Sequence, residues 1–193
     1  MKRLLAIWLL LVTSAAHAQT GKPILLVASP ALQGLYSQAT LIAVPAGNGH
    51  LGFIVNRATD VKLAALFPGH APSAKVADPV YFGGPEMVDA IFAVVRRNPG
   101  ANAAPLFGGL FIVSSRDAID RVIEQSPNDA RYFAGFVGWQ AGELEKEIDA
   151  GYWYVADADP ALFFRHDTSA LWQELILRLR VYKTTRLADS PRS

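Results

Sequence analysis

The sequence predicts a mixed α+β domain with a largely antiparallel or mixed sheet. Apolar runs of strand length come in consecutive groups through the first half of the chain, and helix-period stripes are interspersed later. No internal repeat, low-complexity tract or interdomain linker divides it.

Ile24-Leu25-Leu26-Val27-Ala28 is a continuous apolar run closed by Ser29-Pro30, which reads as a buried strand. Thr40 to Val44 and Gly52 to Val55 flank Pro45-Ala46-Gly47-Asn48-Gly49, whose Gly and Asn suit a turn with positive φ, so the pair reads as a hairpin. Asp60 to Phe67 reads as a short helix. Pro79-Val80-Tyr81-Phe82 is a strand ending in Gly83-Gly84-Pro85, Ile91 to Val95 is the next strand, and Arg96 to Pro105 reads as a polar loop.

Leu110 to Val113 is a strand leading into Ser114-Ser115. One of those serines caps a helix over 116–125, which would bury Ala118, Ile119, Val122 and Ile123. Arg131 to Val137 is a strand, and Gly138-Trp139-Gln140 opens a helix through Glu147 in which Leu144 and Ile148 share a face. Tyr152 to Val155 is a strand. Asp159 followed by Pro160 is an N-cap with Pro at the first helical position. Thr168 or Ser169 caps a last helix whose stripe is Trp172, Leu175, Ile176 and Leu179. Residues 183–193 are polar and aperiodic and read as a flexible tail.

The first eighteen residues have a different character. Met1-Lys2-Arg3 precedes an apolar run of nine residues from Leu4 to Val12, and Ala16-His17-Ala18 sets small residues where signal peptidase needs them. The run is well short of the roughly 20 residues a membrane span requires. It predicts a secretory signal cut between Ala18 and Gln19, a domain over 19–182, no membrane anchor after cleavage, and a periplasmic or secreted location.

The 193-residue chain carries 18 basic and 17 acidic residues; the leader holds Lys2 and Arg3 and no acid, which leaves 16 against 17. A near-neutral surface offers no general attraction to a phosphate backbone, so charge and compartment both disfavour nucleic acid. The absence of cysteine removes thiol nucleophiles, thiolate metal sites and disulfides.

Chemistry-bearing patterns are sparse. No Gly-x-Ser-x-Gly occurs, and Ser114 and Ser115 are explained as helix caps. Beyond the leader the histidines are His50, His70 and His166, none at metal-ligand spacing from another, so no metal and no cofactor is predicted. Asp157-Ala158-Asp159 lacks the glycine and the distal glutamate of a calcium loop. Gly83-Gly84 could form an anion nest or a tight turn, and the turn is favoured because no lysine follows. The aromatic, glycine-rich stretch from Phe133 to Trp139 reads as a core strand rather than a stacking surface. Glu143, Glu145 and Glu147 complement the dipole at a helix start.

In order along the chain, Ser29-Pro30-Ala31-Leu32, Gly52-Phe53-Ile54-Val55-Asn56-Arg57, Val80-Tyr81-Phe82-Gly83-Gly84-Pro85, Ala134 to Glu145 and Gly151-Tyr152-Trp153 resemble the YqgE/AlgH family from about Pro23 to Leu179. The resemblance implies a compact α+β domain with a bulged sheet, no established activity and no agreed catalytic residues. One branch of the family is labelled a regulator of alginate synthesis genes. This chain departs from the family pattern in its leader, in Ala58 where Pro is usual, in Glu143 where Gln is usual, and in Val44-Pro45, where an acid and a histidine are typical.

The resulting expectation is an exported, non-enzymatic binding or accessory domain acting on an unknown envelope protein or small ligand. Its recognition surface would be Asn56, Arg57, Gly83, Gly84, Pro85 and Trp139, at strand ends where loops gather. A hydrolase would use Ser115 or His50 and would need a serine or acid within reach of a histidine. A cytoplasmic transcription regulator would need Arg57, Arg96, Arg97 and Arg116 on one face.

Overall fold

A computed structural model describes residues 21–188, with side chains through Leu179. The leader Met1–Ala18, the cut at Ala18/Gln19 and residues 189–193 lie outside the described residues. The elements are β1 (Ile24–Ala28), β2 (Thr40–Ala46), β3 (Gly49–Ile54), β4 (Ala58–Lys62), α1 (Leu63–Leu66), β5 (Pro79–Phe82), β6 (Glu86–Val95), β7 (Ala103–Pro105), β8 (Phe111–Val113), α2 (Arg116–Gln125), β9 (Ala130–Trp139), α3 (Glu143–Asp149), β10 (Trp153–Asp157) and α4 (Leu171–Ala188), with short 3-10 turns between some of them.

The strands form one curled sheet in the order β10-β1-β2-β3-β9-β6-β8-β7, and β4 and β5 lie off this path. All pairings are antiparallel except β5 with β9. This is the α+β domain that the sequence predicts.

Both faces of the sheet are covered, which is why β1 reads as an unbroken apolar run. Leu25 and Val27 join one core cluster with Phe53, Phe133, Phe163 and Leu171. Leu26 and Ala28 join another with Ile54, Val137, Trp139, Leu144 and Trp153. A third cluster lies under α2, where Ala118, Ile119, Val122 and Ile123 meet Val95, Val113 and Tyr132. That is the stripe the helical period predicts.

The ten-residue β9 organises the sheet. Its first half has β6 on one side and β5 on the other; its last three residues pair with β3. The change of neighbour happens at Gly135, whose φ of 69° makes a left-handed kink. On the β6 side, Glu86 pairs with Phe136 and Ile91 with Ala134, so Met87 to Ala90 bulge out opposite Gly135 alone.

Several boundaries differ from the sequence reading. Residues 58–62 form β4, which takes in the first three residues of the helix expected from Asp60 to Phe67, because β5 supplies a partner and Thr59 Oγ1 donates to the Val80 carbonyl at 2.6 Å; of that span only Leu63–Leu66 is helical. The polar loop after β6 contains the short strand β7, held by β8. Trp139 ends β9 instead of opening a helix, because it pairs with His50 of β3, and α3 begins after the positive-φ Gly142. Ser115 occupies the N-cap position of α2 without a side-chain cap bond. Asp159 does cap its turn, accepting from the Ala161 amide at 2.9 Å. At the entry to α4, Asp167 accepts from both the amide and the hydroxyl of Ser169. The backbone of 183–188 continues α4, past the point where the aperiodic pattern begins.

Candidate functional site

Asn56 and Arg57 turn inward on the chain. Asn56 Oδ1 accepts from the Thr40 amide at 2.8 Å, and its Nδ2 donates to the Gln38 carbonyl at 2.9 Å. Arg57 donates through Nη1 to the Leu35 carbonyl and through Nη2 to the Ser37 carbonyl at 3.2 Å, with its guanidinium 5.9 Å from the Phe82 ring. The two side chains pin the 35–38 loop to the end of β3.

Gly83 and Gly84 are buried against β9. Gly83 donates to the Ala134 carbonyl at 2.8 Å, and its own carbonyl accepts from the Ile54 amide at 2.9 Å. A Cβ on Gly83 would overlap the Gly135 carbonyl, and one on Gly84 the Phe136 carbonyl. The pair therefore serves close backbone approach, and Gly83 has no free backbone group to offer an anion. Pro85 is exposed at the head of the bulge.

Trp139 is 6% exposed, and its Nε1 donates to Glu147 Oε2 at 3.0 Å. Trp153 Nε1 donates to the same oxygen at 2.8 Å, so one carboxylate of α3 ties β9 to β10. Tyr36 packs edge-on against Trp153 with centroids 5.9 Å apart. Burial first, then the carboxylates of Glu147 and Glu86, raises the Tyr36 phenol above its ordinary pKa, while Arg57 opposes them. The sequence-chosen residues thus lie along the seam where β3, β5 and β9 meet, with their polar groups largely committed to the fold.

The open space is elsewhere. A cleft of about 730 Å³ lies between β4, the bulge of β6 and the head of α2. Val80, Ala134 and Ile91 come from the neighbouring strands β5, β9 and β6. Thr59, Val61, Leu66, Phe67, Pro68 and His70 line one side, and Ser114, Arg116, Ile119 and Asp120 line the other. Val88, Asp89 and Ala90 of the bulge close the rim. Val61, Leu66 and Val88 are 40%, 44% and 46% exposed, so three large apolar side chains left in solvent converge here.

His70 is the histidine of this cleft. Its Nδ1 is buried without a partner, and its Nε2 lies 4.0 Å from Glu124 Oε1. Ser115 and His50 do not pair: Ser115 Oγ and His50 Nδ1 are both buried without hydrogen-bond partners, and the acid within reach of a histidine, Asp78 at 3.1 Å from Nδ1 of the exposed His166, lies outside the cleft lining. The four arginines do not share one site: only Arg96 and Arg97 border the same hollow. Arg57 holds its loop, Arg96 stacks 3.7 Å from the Phe164 ring centroid, Arg97 borders a small hollow with Arg96, and Arg116 faces the large cleft.

Sequence reasoning missed the cleft because its rim is the bulge, and no local periodicity announces a four-residue loop-out opposite one glycine. The available signal was Met87-Val88, an apolar pair one residue beyond the Gly83-Gly84-Pro85 turn.

Among the described residues no three histidine or acidic side chains gather as a metal site, and no helix is long and apolar enough to cross a membrane.

The AlgH-like family model matches residues 25–183. A UPF0301 protein of Streptomyces avermitilis is 31% identical over 165 residues, covering 81% of this chain and 85% of the relative. One of Thioalkalivibrio sulfidiphilus is 31% identical over 164 residues, covering 81% and 88%. The solution structure of the AlgH protein of Pseudomonas aeruginosa matches with a TM-score of 0.69 at 22% identity, covering 89% of this chain and 95% of that one. A crystal structure of a Corynebacterium diphtheriae protein matches with a TM-score of 0.67 at 22% identity, covering 83% and 90%. These two likenesses speak to the fold. The sequence resemblance, the matched family model and the shared architecture agree, and the chain belongs to the AlgH-like family.

Proposed function

We propose that this chain is an exported, non-enzymatic binding domain that recognises its partner through the cleft between β4, the β6 bulge and α2. The observation that carries this reading is the convergence of Val61, Leu66 and Val88, three exposed apolar side chains, on one concave site. A cleft of this size with apolar walls and a few polar groups has the form of a ligand site. The lysine–arginine start, short apolar run and small residues before Gln19 support export.

The test of the cleft uses Nile red, a neutral apolar fluorophore. Leu66→Ser with Val88→Ser strips the apolar rim at exposed positions and should abolish the fluorescence enhancement. Leu177→Ser, at a 64% exposed residue of α4 outside the cleft lining, should leave it intact. Equal enhancement by all three proteins would refute the cleft as the recognition site. Export is tested by the mature N-terminus in a cell fraction: a soluble protein beginning at Gln19 supports it, and a cytoplasmic protein retaining Met1–Ala18 overturns it.

A further inference from the structure

We infer that the occupant of this cleft is an extended peptide segment alternating apolar and basic side chains, an identification that rests on the cleft being the recognition site. The apolar half follows from Val61, Leu66 and Val88, which stand exposed on its walls and rim.

The basic half follows from charge. Asp89 and Asp120 line the cleft against one cation, Arg116. Asp117, Asp120 and Glu124 lie at i, i+3 and i+7 on α2, one acidic stripe of which Asp120 lines the cleft and Glu124 lies beside the lining residue His70. Glu124 faces His70, whereas Asp89, Asp117 and Asp120 form no ion pair within 4.0 Å among the described residues. Unpaired carboxylates beside an apolar floor attract cationic groups and repel phosphates, which sets this site against nucleic acid and anionic lipid surfaces.

The peptide backbone has a counterpart as well. Met87 to Ala90 have no register partner in β9; Met87 turns the chain at φ 51°, and beyond it Val88 to Ala90 present backbone on the rim outside the ladder. An extended segment laid along it can gain main-chain hydrogen bonds while alternate side chains enter the cleft.

The experiment uses three fluorescein-labelled peptides of about ten residues, roughly two strand lengths, which alternate leucine with lysine, glutamate or serine. Binding is read by anisotropy and located by amide shift perturbation on the purified protein. The lysine peptide should bind and shift Val61, Leu66, Val88 and Asp120, and the glutamate peptide should not bind. Asp89→Asn with Asp120→Asn should weaken the lysine peptide about fivefold, as should raising salt from ~20 to ~300 mM. Unchanged affinity in that variant, equal binding of the lysine and glutamate peptides, or shifts mapping outside the cleft would overturn the assignment. If no peptide binds while Nile red still requires Leu66 and Val88, the basic-peptide assignment falls and the cleft stands. If Nile red also ignores the rim variant, both fall.

Discussion

Gly135→Ala against Gly138→Ala measures how far the kink in β9 holds the architecture. Gly135 sits at φ 69°, where a side chain costs about 1–2 kcal/mol. Its added Cβ would also overlap the Gly84 carbonyl, lie 2.6 Å from the Glu86 carbonyl, and crowd Val88 Cα at 3.3 Å. Two of those contacts are backbone oxygens in the turn that launches β6, so relief requires moving the bulge rather than rotating a side chain. Overpacking of this kind costs about another 1–3 kcal/mol. The sum, about 2–5 kcal/mol, is a large part of a typical stability of about 5–15 kcal/mol.

Gly138, three residues on, is the control. Its φ is not in the left-handed region, and a Cβ there would meet Phe136 Cε2 at 3.5 Å and Glu86 Cγ at 3.8 Å, ordinary contacts. Alanine there restricts the unfolded chain and should be neutral or stabilising by about 0.5 kcal/mol. Urea unfolding followed by tryptophan fluorescence reads both variants. The expected result is a large drop in midpoint for Gly135→Ala at unchanged slope, with Gly138→Ala close to the parent protein. Equal midpoints for the two variants would refute the claim that the kink and its two facing carbonyls fix the bulge. If Gly135→Ala retains a folded population, its Nile red enhancement should also fall, because Val88 rides on the displaced segment.

Two further predictions concern the core. Trp139→Ala removes a side chain that is 6% exposed and leaves Glu147 Oε2 with Trp153 as its remaining indole partner, so stability should fall by about 3–5 kcal/mol. Because Trp139 is outside the cleft lining, rim binding in the surviving folded protein should fall less than stability does, and equal thermal midpoints for variant and parent would sink this. Tyr132 is 1% exposed, and burial raises its phenol well above the ordinary tyrosine value. A raised folded-state pKa leaves stability intact below the unfolded value of about 10 and drains it as pH climbs further, because the unfolded phenol ionises first. Tyr132→Phe should flatten that alkaline loss, read as urea midpoints between about pH 9 and 11; superimposable pH profiles would show that Tyr132 is not its source.

Where tertiary contacts and local pattern agree, the sequence could be read directly. The β1 run is buried on both faces, so every residue is apolar and no competing period exists. The α2 stripe is likewise unambiguous, because one face packs under the sheet and the other meets water. Failures fall where a distant strand decides the local state. Residues 58–62 carry no strong strand pattern, having burial that is mostly exposed, and become β4 because β5 passes beside them. Trp139-Gln140 looks like a helix start until β3 claims Trp139. The bulge of β6 turns at Met87, at φ 51°, and faces Gly135, at φ 69°, more than forty residues downstream, and no window on β6 contains that glycine.

The same distinction bears on the site. Asn56, Arg57, Gly83, Gly84 and Trp139 carry much of the resemblance to the family, and each has its polar groups or its space taken up within the fold. Asn56 and Arg57 fasten the loop before β2 to the end of β3; Gly83 and Gly84 let β5 and the start of β6 lie flush on β9; Trp139 and Trp153 share Glu147. Together they fix the place where β9 changes neighbour, and that change throws the bulge outward over Val80, Ala134 and Ile91. A motif can therefore mark the architecture that makes a cleft without lining it. Val80 and Ile119 of the lining are core residues, whereas Val61, Leu66, Val88, Asp89 and Asp120 hold exposed or half-exposed positions where the fold makes few demands. Those are the positions free to set which partner this chain accepts, and substitutions there should alter binding with little cost to stability.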